Sequence, residues 1–262
     1  METVSKTALI TGASSGIGYE LTKLFAGDGY NLVLVARNED QLNKVADELR
    51  SEFKTKRVDV IAKDLSNINA AAEVYEETKR LGLEINVLVN DAGVGQRGNF
   101  WEIDFSKDLE IINLNIISLV HLTKLYLKDM LARNEGRILQ LASIAAYQPT
   151  PMLAVYAASK AFVLSFGDAL SNELKDTNIT VTSLIPGPTD TDFFNKAGAE
   201  NTVAASKADE PAKVAKEGYE ALMKGEHHAV ATALVGAQVA MSTVLPNEAV
   251  TKMARKYMEE DK

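Results

Sequence analysis

Tyr156 and Lys160 lie four positions apart, so on a helix their side chains share one face, about one turn apart. A free phenol has a pKa of about 10, which is too high for ready proton exchange at neutral pH. A nearby ammonium group favours the phenolate and lowers that pKa. The spacing therefore indicates general acid–base chemistry, in which Tyr156 gives or takes the proton.

Ser143 and Asn115 extend this candidate catalytic set. A substrate oxygen that gains negative charge during a reaction must receive a proton, which Tyr156 can give. The Ser143 hydroxyl can hydrogen-bond the same oxygen and stabilise its developing charge. A Tyr-x-x-x-Lys pair alone is weak evidence, because many helices pack a ring beside a lysine stem.

We place Asn115 on a helix spanning Leu109–Arg133. Asn113 lies two residues earlier on the same helix and is the alternative. The apolar pattern that favours Asn115 is formed by Leu109, Ile112, Ile116 and Leu119.

Three glycines with the spacing G-x-x-x-G-x-G follow the first strand-like run and precede a helical segment. Gly12 can make the tight turn, Gly16 leaves the backbone bare where a diphosphate would approach, and Gly18 permits close packing of helix and strand. The helix that follows offers unpaired N–H groups and a positive dipole end to phosphates. We therefore predict that this loop binds a cofactor through its residues Gly12, Ser14, Ser15, Gly16, Ile17 and Gly18.

The elements that must position these residues are short apolar runs alternating with helical patterns. Most runs are nearly continuous in apolar residues, as in strands buried on both faces of a parallel sheet. Repeated alternation of strand and helix predicts an α/β fold, a doubly wound parallel sheet of about seven strands with helices on both faces. We expect one domain over residues 1–262. The runs are Thr7–Thr11, Asn31–Ala36, Val58–Lys63, Asn86–Asn90, Arg137–Ala142, Ile179–Ile185 and, less clearly marked, His228–Thr232.

These motifs occur in an order that resembles the short-chain dehydrogenase/reductase superfamily, in its branch of roughly 250 residues. The segment TGASSGIG, beginning at Thr11, is followed by Asn90-Asp91-Ala92-Gly93, then Asn115, Ser143 and the Tyr156–Lys160 pair. The resemblance covers roughly residues 5–195 and implies a Rossmann-type fold that transfers hydride between a nicotinamide cofactor and a carbonyl or alcohol. It also implies that Lys160 holds the nicotinamide ribose and that Asn115 supports Lys160 through a water. An oxidised nicotinamide would further lower the pKa of Tyr156.

The end of the second strand indicates which nicotinamide cofactor is preferred. NAD-preferring relatives carry Asp where this chain has Ala36, and Arg37 follows it. A guanidinium can bind the 2′-phosphate of NADP in a forked geometry, whereas a carboxylate would repel it. We therefore expect NADP(H), although Arg37 has the alternative of being a solvated loop residue.

Three further segments match cofactor-binding positions of the family. Asp64 and Leu65 match the place where relatives hold the adenine ring, although Asp64 has the alternative role of a turn or N-cap residue. Asn90, Ala92 and Gly93 match the family's Asn-Asn-Ala-Gly segment, from which Asp91 departs, and we expect little effect from that departure. The run that matches the family's Pro-Gly-x-x-x-Thr pattern contributes Pro186, Gly187, Thr189 and Thr191, with a proline-fixed turn as the alternative.

Charge and composition exclude several classes of function. The formal net charge of -8 and a pI of about 5.1 argue against a nucleic-acid partner. The chain has no cysteine, which excludes disulfides and thiol catalysis. No secretory segment is recognisable at the N-terminus, so we expect a cytoplasmic protein. The uncharged run Ala229–Leu245 is short for a membrane span, so a buried strand and a core-facing or subunit-facing helix are expected, with contact to a membrane surface as the alternative.

Several regions lie outside these motifs. Residues 189–209 are a candidate substrate lid or an ordinary surface excursion, and a helical segment is expected at about 234–260 in place of the family's Asp-Gly-Gly tail. That difference leaves a homodimer or a homotetramer as the expected assembly.

Trp101, Phe100 and Phe105 line the substrate mouth or form an aromatic core cluster. We interpret Lys252–Lys262 with Tyr257 as a solvated helix and the pair His227-His228 as a loop or strand start.

The predicted function is reversible reduction of a small-molecule carbonyl compound with NADP(H). A non-catalytic NADP-binding regulator or redox sensor is the first alternative. A sugar-nucleotide epimerase or dehydratase is the second, and the short tail argues against it. Part of the predicted substrate is not highly charged, because the region near the site carries the apolar residues Met152, Leu153, Phe193 and Phe194.

Overall fold

The computed structural model describes residues 6–260, and the central element of that range is a sheet of seven parallel strands. Residues 1–5 and 261–262, which belong to the predicted N-terminal segment and C-terminal helix, lie outside the described residues. The strand order is β3-β2-β1-β4-β5-β6-β7. The strands are β1 Thr7–Thr11, β2 Asn31–Ala36, β3 Val58–Ala62, β4 Val87–Asn90, β5 Gly136–Leu141, β6 Ile179–Ile185 and β7 His228–Val230.

Helices cover both faces of this sheet. One apolar cluster joins the sheet to α1, α2 and α9, and a second joins its other face to α3, α5 and α6. The predicted doubly wound α/β sheet is thereby confirmed. The helices are α1 Gly16–Gly27, α2 Glu39–Glu52, α3 Ala70–Arg80, α4 Phe105–Ile112, α5 Leu119–Arg133, α6 Ala154–Glu173, α7 Phe193–Ala197, α8 Val203–Ser206, α9 Pro211–Lys224, α10 Ala233–Val244 and α11 Asn247–Tyr257.

The predicted helix Leu109–Arg133 is wrong in its bounds and in its regularity. The structure has α4, then a π-helical segment over Asn113–Ser118, and then α5. The wider π turn shifts the helical register, so that Leu114, Asn115 and Ser118 are buried while Leu109 is 41% exposed. A pattern search that assumes one helical period does not detect this shift.

One further interpretation is corrected. Trp101, Phe100 and Phe105 are exposed by 80%, 61% and 67%, so they form neither a core cluster nor a wall of the cleft described below. The predicted strand start at the two histidines is confirmed, because His227 directly precedes β7 and His228 begins it. Both bond to side chains of α6, His227 to Ser171 and His228 to Asp168. Within residues 6–260, no group of three or more potential ligands is arranged to hold a metal ion.

The uncharged run Ala229–Leu245 forms the end of β7 and the helix α10. The strand was predicted, and the helix faces the core in part, because Val235 is buried in a core cluster and Val239 packs against that cluster. Other residues of the helix are open, with Leu234 and Val244 exposed by 66% and 83%. No helix in the described part of the chain combines the length and the apolar character needed to cross a membrane.

Close packing of α6 against β6 leads to a test of the fold. A Cβ atom at Gly167 would lie 2.4 Å from the Ser183 Oγ, a buried oxygen without a hydrogen-bond partner among the described residues. We expect Gly167→Ala to cost about 1–3 kcal/mol through overpacking, offset by about 1 kcal/mol of helix propensity. Equilibrium unfolding in urea measures the net loss.

The double variant Gly167→Ala/Ser183→Ala is the matched control, because removal of the Ser183 hydroxyl leaves its Cβ 3.8 Å from the new methyl group. It should be at least as stable as the wild type. If the double variant is as unstable as the single one, the Gly167–Ser183 contact does not set the distance between α6 and β6.

Candidate active site

The carboxyl ends of the central strands meet at one edge of the sheet, where a continuous cleft of about 620 Å³ opens. Most of the predicted site residues lie on its wall. They are Gly12, Ser14, Ser15, Gly16, Ile17, Arg37, Asp64, Leu65, Ala92, Gly93, Ser143, Tyr156, Lys160, Pro186, Gly187, Thr189 and Thr191. Gly18, Asn90 and Asn115 are placed behind the wall.

Ser143, Tyr156 and Lys160 converge in this cleft. Ser143 follows β5 and caps a short 3₁₀ turn, where its Oγ accepts a hydrogen bond from the Ala145 N–H at 3.1 Å. The Ser143 side chain lies beside Tyr156 of α6 and acts to lower the pKa of its phenol. The Lys160 Nζ lies 5.8 Å from the centre of the Tyr156 ring and donates to the Leu141 carbonyl at 2.7 Å. A substrate oxygen beside Tyr156 can thus be held by two hydroxyl groups.

Burial shifts the pKa values of Tyr156 and Lys160, and the shift of Tyr156 is opposite to the one expected from the sequence. Burial raises the pKa of Tyr156 to about 12, and the neighbouring Ser143 side chain acts in the opposite direction. Burial lowers the pKa of Lys160 to about 8, and the nearby Asp91 partly opposes that decrease. The expected lowering of the Tyr156 pKa is therefore wrong for the protein alone. Tyr156 is protonated at neutral pH, which is the form that can give a proton to an alkoxide.

Asn115 is hydrogen-bonded to the backbone of Val94 and to the side chain of Ser159, which precedes Lys160 in the sequence. Its amide group donates to the Val94 carbonyl at 2.9 Å and to the Ser159 Oγ at 3.0 Å, and it accepts from the Val94 N–H at 3.0 Å. A Cβ atom at Gly93 would lie 3.4 Å from the Asn115 Oδ1 and 3.5 Å from the Lys160 Nζ. Asn115 thus ties the π-helical segment to α6 and to the strand end, and Gly93 leaves room between the two side chains.

The glycine loop has the geometry of an anion cradle. Gly12 and Gly16 have φ values of +70° and +60°, which L side chains rarely adopt. Ser15 is the N-cap residue of α1 but makes no side-chain cap hydrogen bond, and the first turn of α1 contains no acidic residue. The N-terminal end of α1 is therefore available to a diphosphate in the cleft. Gly18 packs behind the loop, where a Cβ would lie 2.6 Å from the Gly12 carbonyl oxygen.

Arg37 marks the other end of the cleft. Its side chain is 52% exposed, and its Nη1 lies 3.4 Å from the Glu110 Oε1. Asp64 forms a turn by accepting from the Ser66 N–H and hydroxyl, at 3.0 and 2.8 Å, and it also lines the cleft. Both roles considered for Asp64 are thus compatible with its place. This end has the basic and polar groups that an adenosine phosphate would contact.

Asn90, expected at the cofactor, lies instead in the core. Its amide donates to the Thr123 Oγ1 at 3.0 Å and to the Gln140 Oε1 at 3.1 Å, and it does not reach the cleft wall. Strand alternation explains this placement, because Asn90 precedes Asp91 and the two side chains point to opposite sides of the sheet. Asn90 joins β4, β5 and α5, and Asp91 is the residue that approaches the glycine loop.

The predicted lid, residues 189–209, is an excursion whose two ends are hydrogen-bonded together. The Asp190 N–H donates to the Asp209 carbonyl and the Asp209 N–H donates to the Pro188 carbonyl, both at 2.8 Å. The excursion contains α7 and α8. The Phe193 ring lies 5.0 Å from the Tyr156 ring, so the first helix of this segment covers the reacting end of the cleft.

The two C-terminal helices form a roof over the same end of the cleft. Each helix turns one face to the cleft, at the spacing of successive helical turns. The segment described above as a solvated helix is therefore amphipathic, and its lining residues signalled this by their spacing. The roof residues are Gln238, Met241, Ser242 and Leu245 of α10 and its end, and Val250, Met253, Ala254, Tyr257 and Met258 of α11 and its end.

Comparison with known proteins identifies the family. The short chain dehydrogenase family matches residues 6–202. The chain belongs to this family. The predicted superfamily is confirmed, and the protein is an oxidoreductase that acts on an alcohol or a carbonyl compound with a nicotinamide cofactor.

Individual relatives extend over most of the chain. An uncharacterised oxidoreductase of Staphylococcus saprophyticus is 33% identical over 227 residues, or 87% of this chain and 95% of the relative. A solved short-chain dehydrogenase of Sphingobium yanoikuyae in complex with NADPH is 28% identical, with a TM-score of 0.81 over 92% of this chain and 96% of that one. A bulky-bulky ketone specific alcohol dehydrogenase from Comamonas testosteroni is 27% identical, with a TM-score of 0.77 over 93% and 96%.

Proposed function

We propose that the protein interconverts a bulky, uncharged ketone and its alcohol with NADP(H), and that Tyr156 is the general acid and base. The observation that carries this proposal is one cleft with Arg37 at one end and Ser143, Tyr156 and Lys160 at the other. The hydride is supplied by the cofactor when it is bound, and the protein contributes position and charge.

Tyr156, Ser143 and Lys160 each have a separate role in the proton transfer. In reduction, the Tyr156 hydroxyl gives its proton to the oxygen of the substrate, while Ser143 hydrogen-bonds that oxygen. The Lys160 ammonium stabilises the phenolate that remains, because it lies above the ring and is held by the Leu141 carbonyl. Asn115 acts as a positioning residue through Val94 and Ser159.

The preference for NADP(H) over NAD(H) rests on the charges beside the adenosine end. Arg37 is partly free to turn towards a 2′-phosphate, Lys63 also lines the cleft, and Ala36 leaves that position without a carboxylate. Binding of NADPH to the similar protein from Sphingobium yanoikuyae supports this preference.

The apolar lining of the roof supports the proposed class of substrate. Phe193, Met241, Leu245 and Met253 present apolar side chains, and the polar lining residues of the roof, Gln238, Ser242 and Tyr257, are uncharged. Methionine side chains adapt to irregular apolar shapes. The similar alcohol dehydrogenase from Comamonas testosteroni, named for bulky ketones, supports the same class. A cytoplasmic location and a homodimer or homotetramer stay predictions.

Replacement of Tyr156 by Phe removes the proton donor and leaves the ring in place. We expect kcat/KM for ketone reduction to fall about 10²–10⁴-fold, with NADPH still bound. The measurement is NADPH oxidation against a panel of ketones and aldehydes, with binding followed by cofactor fluorescence. A wild-type protein that binds NADPH but turns over no member would favour the non-catalytic regulator.

Replacement of Arg37 by Gln tests the cofactor preference. Loss of a charged hydrogen bond costs about 1.5–3 kcal/mol, so we expect the Kd of NADPH to rise roughly 10–100-fold while that of NADH changes little. Arg50→Gln, at the far end of α2, is the control. Equal effects of Arg37→Gln on NADPH and NADH would contradict the assignment of the 2′-phosphate to Arg37.

Replacement of Met241 by Glu tests the roof. A carboxylate on the cleft face of α10 should lower kcat/KM for a bulky apolar ketone roughly 10–100-fold, because it removes about 1.5–3 kcal/mol of apolar contact. The kcat/KM for a small ketone such as acetone should change far less. Val244→Glu, on the exposed face of the same helix, should leave kcat/KM for both ketones unchanged. Equal losses for both ketones would count against recognition of the substrate by the roof.

A further inference from the structure

Asp91 is a buried carboxyl group of the cofactor site to which the proposed proton chemistry assigns no role. It follows β4, is 9% exposed, and replaces the amide-bearing residue that the family's motif has at this position. Its Oδ1 is buried without a hydrogen-bond partner among the described residues. An unpaired buried polar atom of this kind needs a physical explanation.

The carboxyl group lies directly beneath the glycine loop. A Cβ atom at Gly12 would lie 2.7 Å from the Asp91 Oδ2, and one at Gly18 would lie 2.5 Å from it. The Gly18 N–H, in the first turn of α1, lies near this carboxyl group and favours its charged form. Asp91 therefore occupies the same helix N-terminus that the loop presents to a diphosphate, from the opposite side.

We propose that Asp91 makes cofactor binding depend on pH, because a diphosphate bound at the glycine loop draws a proton from solvent onto the Asp91 carboxylate. Two negative groups at one helix N-terminus repel each other in a site from which water is largely excluded. Protonation of Asp91 removes that repulsion, and an amide at this position would never create it. This inference rests on binding of a nicotinamide dinucleotide, and it is independent of the substrate and of the preference for NADP(H).

The charged surroundings of Asp91 are simple. Among the described residues, Lys160 on α6 is the charged side chain that acts on it, and the neighbouring Thr11 of β1, Gly12 of the glycine loop and Gly18 of α1 are uncharged. Burial raises the pKa of Asp91 to about 7, while Lys160 and the Gly18 N–H oppose that increase. The carboxyl group of the free protein is thus poised to change its charge near neutral pH.

The sign of the linkage follows from these groups. If the bound cofactor raises the pKa of Asp91 further, the complex holds more protons than the free protein above about pH 7. The affinity for the cofactor must then fall as pH rises, by at most about tenfold per pH unit for one proton. Lys160 contributes its own proton uptake only at higher pH, because its pKa is about 8.

The test compares the wild type with Asp91→Asn, which keeps the size of the side chain and removes its charge. The Kd of NADPH is measured by fluorescence from pH 7 to 9, and proton uptake by calorimetry in buffers of different ionisation enthalpy. We expect the wild-type Kd to rise several-fold more steeply with pH than that of the variant, and the wild type to take up more protons per bound cofactor. ADP-ribose, which has the diphosphate without the nicotinamide or the 2′-phosphate, should show the same difference.

Asp108→Asn is the matched control, since Asp108 on α4 is also a buried carboxyl with an unpaired Oδ1 but lies outside the cleft. It should keep the wild-type slope. Equal slopes and equal proton uptake in the wild type and Asp91→Asn would overturn the proposal, whatever the ketone assay shows. Should Asp91→Asn fail to fold, the wild type at pH 7.0 decides: proton uptake supports the proposal, and its absence overturns it.

Discussion

The close approach of α6 to the sheet is the constraint on which the site depends. Gly167 allows α6 to lie against Ser183 of β6, and at the other end of the helix the Lys160 ammonium is bonded to the Leu141 carbonyl at the end of β5. Ser159 binds Asn115 on the π-helical segment. These contacts fix the helix in distance and in rotation. The placement of α6 consequently brings Tyr156 beside Ser143, although the two residues are not neighbours in the sequence.

The same approach brings ionisable groups into a poorly hydrated space. Lys160 and Asp91 are both buried, yet the amine is bonded to the Leu141 carbonyl, and the two groups form no direct ion pair among the described residues. Each group therefore has a pKa displaced towards its neutral form, and their mutual attraction only partly restores the charges. A charged cofactor that binds in the site changes the electrostatic potential at Lys160 and Asp91. It can therefore change how many protons these two groups hold.

Sequence reasoning located the strands and the glycine loop well because both depend on local rules. Nearly continuous apolar runs predicted β1, β2 and β6 with their observed bounds, since strands covered on both faces leave no polar alternation. The glycines at 12 and 16 are required by positive φ values, a property of the backbone itself. The π-helical segment was missed because one wider turn breaks the single period that a helical pattern assumes.

Other errors came from effects that the sequence records only through tertiary contacts. The direction of the Tyr156 pKa depends on burial, and spacing to Lys160 revealed only the favourable charge. Asn90 matched a cofactor motif, although strand alternation directed its side chain to Thr123 and Gln140 in the core. Motif matching identifies a segment, and the pleat of the strand decides which of its residues faces the ligand.

The roof shows why the cofactor was easier to predict than the substrate. Backbone geometry at the glycine loop serves any diphosphate, and therefore leaves a fixed pattern in the sequence. The substrate end is formed by faces of α10 and α11, whose apolar spacing is the same whether a helix covers a core or an open cleft. Only tertiary contacts distinguish a helix over a cleft from a helix over a core. Here Arg97 donates to the Met258 carbonyl, and the Val203 N–H of the lid donates to the Glu259 carbonyl. The predicted lid and the C-terminal end of the roof are thus hydrogen-bonded to each other, so both segments shape the space between them.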